Sequence, residues 1–330
     1  MQARPPVAIV GAGIAGITCA RRLHQAGLPV LVLEKSRGIG GRMSTRRRDD
    51  GQWDHGAQYF TARSPEFQDQ VREWQQAGVV APWDARLVRL TAQGSAAVPA
   101  APRWVGTPTM AAPVRSDARS LHVLTSHTVI RLQRRGPHWE LVTREFGTLP
   151  EPFSAVLLAL PAPQASALLA TAAPDLLPAC QSVTLRPCWA VLLGFQHDPD
   201  LPFEGAFVDN GGPLAWMARN HSKPGRPTTA GWVLHATPEW SAAHLDDPPE
   251  SVAQHLISAF QALGGQRPDH WQAHRWRYAQ ADDATGQPAP TAHWHAGLQL
   301  GLCGDSFAGG RVEAAWHSGH ALAQRFLESA

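Results

Sequence analysis

The chain has 330 residues, enough for a large core, and its net charge of +2 gives no electrostatic case for nucleic acid or an anionic membrane surface. Its four cysteines form no C-x-x-C pair and its sixteen histidines show no H-E-x-x-H spacing, so buried thiols, a reducing compartment and no metal site are expected. No run reaches the ~18 apolar residues of a membrane span, and a cytoplasmic location is expected.

The chain opens on Val7-Ala-Ile-Val10, a short β-branched run that ends in Gly11-x-Gly13-x-x-Gly16. Ile17, Ala20 and Leu23 then follow at helical spacing, and Val30-Leu-Val-Leu33 ends in Glu34. Strand, tight turn, helix, strand and acid together make a dinucleotide fingerprint. Gly11 permits the turn, Gly13 permits close approach of a pyrophosphate, and Gly16 lets the helix pack on the sheet. The free N–H groups at the helix start favour an anion, and Glu34 is placed for the ribose hydroxyls.

A second glycine-rich turn, Gly38-Ile-Gly40-Gly41-Arg42, follows one strand later. It suits a cofactor longer than NAD, with Arg42 toward the phosphates. In Trp53-Asp-His-Gly56-Ala57-Gln58-Tyr59-Phe60, the small Gly56 and Ala57 would let a flat ring approach, with Gln58 and Tyr59 as polar and aromatic contacts. A plain strand ending in a turn is the alternative.

Residues 65–77 read as a helix with Pro at its start and Gly after its end. Short strands are expected near 86–90 and 96–98, and 103–110 reads as a turn entering a helix. Residues 121–124, 127–133 and 138–143 are strand-like, with a hairpin turn at Arg135-Gly136-Pro137. The apolar run from Ser154 to Leu160 reads as a buried parallel strand that rejoins the first sheet.

Residues 175–295 are rich in Trp and Pro, with alternating runs at 189–195, 206–208 and 232–236 and helical patterns at 238–245 and 250–263. A second, mostly antiparallel domain follows from that pattern. The last segment, Leu298 to Cys303, is a strand that ends in Gly304-Asp305. Gly309-Gly310-Arg311 then leads into a helix from Val312 to about Leu327. Asp305 is placed to accept from a polyol chain, and the helix start would stabilise negative charge on a ring.

Three segments stand together: Gly11–Gly16 with Glu34, Gly40-Gly41-Arg42, and Gly304-Asp305 with Gly310–Gly319. This combination resembles the FAD-dependent amine oxidase/desaturase superfamily. Within it, Lys35-Ser-Arg37, Gly56-Ala-Gln-Tyr-Phe-Thr-Ala-Arg63, Pro161-Ala-Pro-Gln-Ala-Ser166, Ala215-Trp-x-Ala-Arg219-Asn220-x-Ser-Lys-Pro224 and Gly310-Arg-Val-Glu-Ala-Ala-Trp316-x-Ser-Gly319 resemble the bacterial renalases.

The resemblance implies an α/β fold: a Rossmann-type FAD-binding domain (1–72, 104–170, 296–330) and an α+β substrate domain on a mostly antiparallel sheet (73–103, 171–295). It implies non-covalent FAD contacted by Gly11, Ala12, Gly13, Ala15, Gly16, Glu34, Lys35, Arg42, Ala57, Gln58, Tyr59, Val129, Gly304, Asp305 and Val312. The activity it implies is oxidation of dihydronicotinamides reduced at the wrong ring carbon (2- or 6-dihydro-NAD(P)). Hydride would pass to flavin N5, giving NAD(P)+ and, with O2, hydrogen peroxide.

A dihydropyridine that loses hydride becomes an aromatic cation, so no protein base is required, only stacking and orientation. The expected pocket is aromatic and hydrogen-bonding, with Tyr59, Trp189, Asn220, His235, Arg275 and Trp316 as candidates. The first alternative is an FAD-dependent amine oxidase, a class that commonly uses a lysine to hold water at the flavin. Lys35 and Lys223 are the only lysines, and Lys223 sits in a polar, Pro-flanked turn, which counts against that reading. A non-catalytic flavin-binding protein is the second alternative. The partners expected are the small-molecule substrate and O2.

Overall fold

The computed structural model describes residues 4–49, 51–282 and 291–329. The stretch 283–290, part of the expected second domain, lies outside the described residues. The chain divides into two compact units, one of 1–41, 114–185 and 281–330, the other of 42–113 and 186–280.

The first unit is built on a six-stranded sheet in the order Ala292–His295, Leu300–Cys303, Ala155–Leu158, Val7–Val10, Val30–Leu33, His122–Leu124. All neighbours are parallel except the first pair, where Ala292–His295 runs antiparallel as an edge. Val7–Val10 and Ala155–Leu158 are wholly buried, which is why both read as continuous apolar runs rather than alternating ones. The expected strand near 154–160 therefore lies where the sequence put it, between the first strand and the last parallel one.

Beside this sheet lies a three-stranded antiparallel sheet of Val129–Arg135, His138–Thr143 and Gly147–Thr148, with the expected turn at Gly136 (φ +59°). Leu132, Trp139, Leu141 and Phe153 bury its inner face against Val156 and Leu158.

Two helices, Ile14–Gln25 and Val312–Glu328, pack against each other at glycine. A Cβ on Gly319 would stand 2.1 Å from the Ala15 carbonyl oxygen, so only glycine permits this approach. The C-terminal helix is thus seated directly on the fingerprint helix.

The second unit carries a seven-stranded sheet in the order His270–Ala281, Leu185–Gly194, Gly231–Ala236, Leu214–Arg219, Gly205–Asp209, Leu87–Thr91, Gly94–Ala97. Leu87–Thr91 pairs parallel with Gly205–Asp209, and the pairings on either side of it are antiparallel. Trp189, Val191, Leu193, Met217, Trp232 and Leu234 point to one face, which the helix Pro249–Ala262 covers with Val252, Leu256 and Phe260. That face is an apolar core.

The hairpin Thr45–Arg48 and Gly51–Asp54 lies on the opposite face, where Trp53 packs against Leu192 and Val233. This packing places residues 42–72 with the second unit, although their sequence follows the dinucleotide motif directly. Residues 103–110 also differ from the expected turn: Trp104–Gly106 is a strand paired with Val80–Pro82, and the helix begins only at Ala112.

Candidate functional site

In the first unit the site is made of backbone. Gly11 (φ +107°) leaves the strand in a conformation that disfavours side chains, and a Cβ there would meet the Ala159 carbonyl oxygen at 2.5 Å. A Cβ on Gly16 would meet the Gly11 carbonyl oxygen at 2.0 Å. Those two glycines are required by the protein's own packing. Gly13 is different, because a Cβ there would meet nothing within 4 Å. The open space lies beside the start of a helix that no side chain caps. A phosphate-bearing group fits there: the donors are present, the dipole favours an anion, and no protein atom fills the space.

Glu34 completes the cradle. Its carboxylate is 6% exposed, and its two oxygens accept separately from Ala12 N and Ser36 N, each at 2.8 Å. Each oxygen keeps a lone pair, which suits ribose hydroxyls. The second glycine turn is tied to the first: Gly40 N donates to the Ala12 carbonyl at 2.9 Å, and a Cβ on Gly41 would approach Gly13 Cα to 3.3 Å. Lys35 is exposed, and Val129 begins its strand half-buried.

At the same carboxyl end of the sheet, two strands away, Gly304 (φ +144°) donates its N–H to Ser318 Oγ at 2.8 Å. Asp305 is buried, and its backbone carbonyl accepts from Gly310 N at 3.1 Å. Gly309 and Gly310 both have positive φ and lead into the uncapped start of the helix at Val312. Trp316 lies on that helix, stacked on His320 with ring centres 5.2 Å apart.

In the second unit the site is made of side chains. Asp54, Gln58, Lys223 and Arg226 form a buried polar knot that Thr45 joins at its edge. The carboxylate of Asp54 takes Lys223 Nζ at 3.2 Å and Arg226 Nη2 at 2.7 Å on one oxygen, and Thr45 Oγ1 at 2.7 Å on the other. Lys223 also donates to Gln58 Oε1 at 3.1 Å, and Arg226 to the Gly106 carbonyl at 2.7 Å. The side chains of Asp54, Lys223 and Arg226 are wholly buried. Burial alone would raise the Asp54 carboxyl, but Lys223, Arg226 and the Thr45 hydroxyl outweigh it and hold the group at about 2. Burial pulls Lys223 down to about 8 against the pull of Asp54.

The sequence reading put Lys223 in a polar turn. The backbone does turn there, but the side chain points inward and is spent on Asp54 and Gln58. This knot was the main feature missed. A lysine and an arginine three apart, Lys223 and Arg226, in a chain with few lysines were the available signal.

The expected contacts in 54–60 have specific places. The Gln58 amide is committed within its own turn: Oε1 accepts from Lys223, and Nε2 donates to the carbonyls of Asp54 and Gly56. Gly56 is small because a Cβ would stand 2.0 Å from the Arg42 carbonyl oxygen, which itself accepts from Ala57 N at 2.9 Å. Arg42 Nη1 donates to the carbonyls of Tyr278 (3.4 Å) and Ala279 (3.1 Å). Tyr59 is half-buried, with its ring against Trp83 and Trp216 and the Arg103 guanidinium 5.5 Å from its centre.

The other pocket candidates fall on two faces of the seven-stranded sheet. His235 and Asn220 are on the face that carries the hairpin. Asn220 Oδ1 accepts from Asp54 N at 3.0 Å and its Nδ2 donates to the Gln52 carbonyl at 2.9 Å. His235 Nε2 donates to the His55 carbonyl at 3.2 Å, which also accepts from Trp276 Nε1 at 2.8 Å. Trp189 and Arg275 are on the apolar face. Trp189 donates to the His244 carbonyl at 2.9 Å, and the Arg275 guanidinium lies 5.5 Å from its ring centre. Side chains alternate along a strand, so odd-numbered Trp189 opposes the even positions that share a face with His235.

The hairpin-bearing face is polar and aromatic. Register pairs Phe207 with Trp216 and Trp216 with His235, so the three form a row. His55 packs against His274 and Trp276, and Arg46 Nη2 donates to His274 Nδ1 at 3.3 Å. All three histidines are kept neutral at pH 7. Burial, with help from His274 and Arg46, lowers His55 to about 3, and burial lowers His235 and His274 to about 4. Among the described residues, Trp216 Nε1, His55 Nδ1, Arg46 Nε and Gln272 Oε1 are buried on this face without a hydrogen-bond partner. Among the described residues, no group of three or more His, Cys, Asp or Glu is arranged to hold a metal, and no helix is long and apolar enough to cross a membrane.

Comparison with known proteins gives two family matches. Residues 9–74 match the NAD(P)-binding Rossmann-like domain, and residues 81–327 match the flavin containing amine oxidoreductase family. Protoporphyrinogen oxidase 2 of Arabidopsis thaliana is 38% identical over 60 residues, 18% of this chain and 12% of that protein. The L-amino acid oxidase of Cerastes cerastes is 43% identical over 68 residues, 21% of this chain and 13% of that protein. The matched segments thus span only a small part of these relatives' length. Cyclohexylamine oxidase from Brevibacterium oxydans IH-35A superposes with a TM-score of 0.75 at 13% identity, covering 98% of this chain and 99% of that one. Putrescine oxidase bound to putrescine superposes with a TM-score of 0.71 at 12% identity, covering 98% and 99%. At such identities the structural likeness is one of fold. The family match takes in well over half of the chain, which therefore belongs to the flavin containing amine oxidoreductases, with FAD as its cofactor.

Proposed function

We propose that this protein oxidises dihydronicotinamides reduced at the wrong ring carbon, the 2- or 6-dihydro isomers of NAD(P)H, and returns NAD(P)+. The chemistry expected of non-covalently bound FAD is acceptance of hydride at N5 and passage of the electrons to O2 as hydrogen peroxide. Gly13, Glu34, Gly304, Asp305 and the helix start at Val312 hold the cofactor from the first unit.

The observation that carries this reading is the polar-aromatic face of the second unit. It offers flat rings in Tyr59 and Trp216 and unspent hydrogen-bonding atoms, but no effective base. Histidines held at about 3 to 4 are poor proton acceptors, and Lys223 is bound to Asp54 and Gln58. A substrate that leaves as an aromatic cation needs no base. Stacking and orientation suffice, and this face is built for both.

Amine oxidation is the second reading, favoured by the family itself and by relatives named as amine and amino acid oxidases. Anaerobic mixing with borohydride-generated NADH isomers separates the two. Rapid bleaching of the flavin band by the isomers, but not by authentic NADH, is expected. Bleaching by a panel of amines and not by the isomers would replace this proposal with amine oxidation, and bleaching by neither would leave a non-catalytic flavoprotein.

A further inference from the structure

Five tryptophans of the second unit donate their indole N–H to an acceptor of the protein. Trp53 donates to the Leu193 carbonyl at 2.9 Å, Trp83 to Ser222 Oγ at 3.1 Å and Trp189 to the His244 carbonyl at 2.9 Å. Trp232 donates to Asp198 Oδ1 at 3.0 Å, and Trp276 to the His55 carbonyl at 2.8 Å. Trp216 is 6% exposed, and among the described residues its buried Nε1 has no hydrogen-bond partner. A buried donor left unsatisfied is unfavourable, and a ligand acceptor would relieve it.

The indole is held in place around that free donor. Its ring meets Phe207 edge-on at 4.7 Å between centres, and Tyr59 at 5.8 Å. Gly205 makes room for the benzo end, since a Cβ there would lie 3.1 Å from Cη2. In the sheet, Trp216 lies between Phe207 and His235. The His235 Nε2 proton already goes to the His55 carbonyl, so the histidine cannot offer that donor to a ligand.

Resting on the substrate reading above, we propose that Trp216 is a specificity-determining residue that donates its indole N–H to the carboxamide oxygen of the nicotinamide ring. The substrate ring carries one strong neutral acceptor, that oxygen. A buried, pre-oriented donor discriminates for it, because a ring lacking the acceptor leaves that donor unsatisfied. Tyr59, in contact with the same indole, offers the neighbouring aromatic surface.

The test compares β-NAD+ with an adenine dinucleotide whose pyridinium ring lacks the carboxamide, titrated calorimetrically into the oxidised FAD-loaded protein. Wild type is expected to prefer β-NAD+ by about tenfold, the effect of one hydrogen bond of this kind. Trp216→Phe keeps an aromatic ring and removes the N–H, and should abolish the preference by weakening β-NAD+ alone. An equal loss for both ligands would make Trp216 a packing residue and overturn the proposal, as would a preference that survives in Trp216→Phe. The wild-type arm stands without the variant: no preference there, in protein that the NADH isomers do bleach, overturns this assignment and leaves the substrate reading intact. Wild type that binds neither ligand and is not bleached removes both.

Discussion

The two units build their binding surfaces from opposite materials. In the first, the backbone is the site: Gly13 clears space, the Ile14–Gln25 helix start supplies donors, and Glu34 is the chief side chain. In the second, side chains are the site, and one buried carboxylate answers two buried cations. A site made of backbone depends on what is absent. One made of buried charge depends on every partner being present, because removing a member strands the others in a medium that solvates them poorly.

The largest expected effect tests that dependence. Asp54→Asn leaves Lys223 and Arg226 buried without their anion, and the second unit should lose about 3–5 kcal/mol in denaturant unfolding. Asp54→Asn combined with Lys223→Met should recover a good part of that loss, since one stranded cation is gone. A double variant no more stable than the single would show that Lys223 is not held by charge.

The first unit gives a contrasting pair. Gly16→Ala forces a methyl to within 2.0 Å of the Gly11 carbonyl oxygen and should lose several kcal/mol or fail to fold. Gly13→Ala meets nothing in the protein, so the apoprotein should keep its thermal midpoint while FAD retention falls. Equal destabilisation of the apoprotein by both substitutions would remove the distinction between packing glycines and the ligand glycine.

The pH dependence separates the units next. The folded-state pKa values of His55, His235 and His274 lie below the ordinary 6.5, so the unfolded chain binds more protons between about pH 6.5 and 4. Stability should therefore fall as pH drops through that window. Asp54, depressed from 3.8 to about 2, adds its own loss below pH 4. All four groups belong to the second unit, so its amides should exchange first on acidification. The smallest effect is expected from Glu34→Ala, which should weaken FAD retention with little change in apoprotein stability, read by flavin occupancy after gel filtration. Undiminished occupancy would detach Glu34 from the ribose.

The first unit was largely legible in the sequence for the same reason that it is made of backbone. Glycine spacing, an apolar strand and a terminal acid encode a conformation locally, so Gly11, Gly13, Gly16 and Glu34 could be assigned before any fold was known. The strand from Ala155 to Leu158 was equally plain, since a run buried on both faces carries no polar residue. The second unit resisted because its contacts are long-range. Asp54 meets Lys223 across 169 positions and Arg226 across 172, and nothing near either position announces the other. Trp189 was expected in the pocket and Trp216 was not singled out, yet their strands' registers send Trp189 into the apolar core and Trp216 to the polar-aromatic face. Gly56 was read as space for a ring, and the space is filled by the Arg42 carbonyl.

The seating of Gly319 against Ala15 also sets an order of events during synthesis. The fingerprint strand and helix leave the ribosome nearly three hundred residues before the strand Leu300–Cys303, two places along the same sheet, and the helix Val312–Glu328 that packs on the fingerprint helix. At the usual ~5–20 residues per second, the nascent chain waits on the order of tens of seconds with an incomplete sheet. The second unit, most of which emerges in between, can gather its own core during that wait. Cofactor capture would then wait for the helix Val312–Glu328, and translation that stops short of it would yield an intact GxGxxG motif whose helix lacks its packing partner.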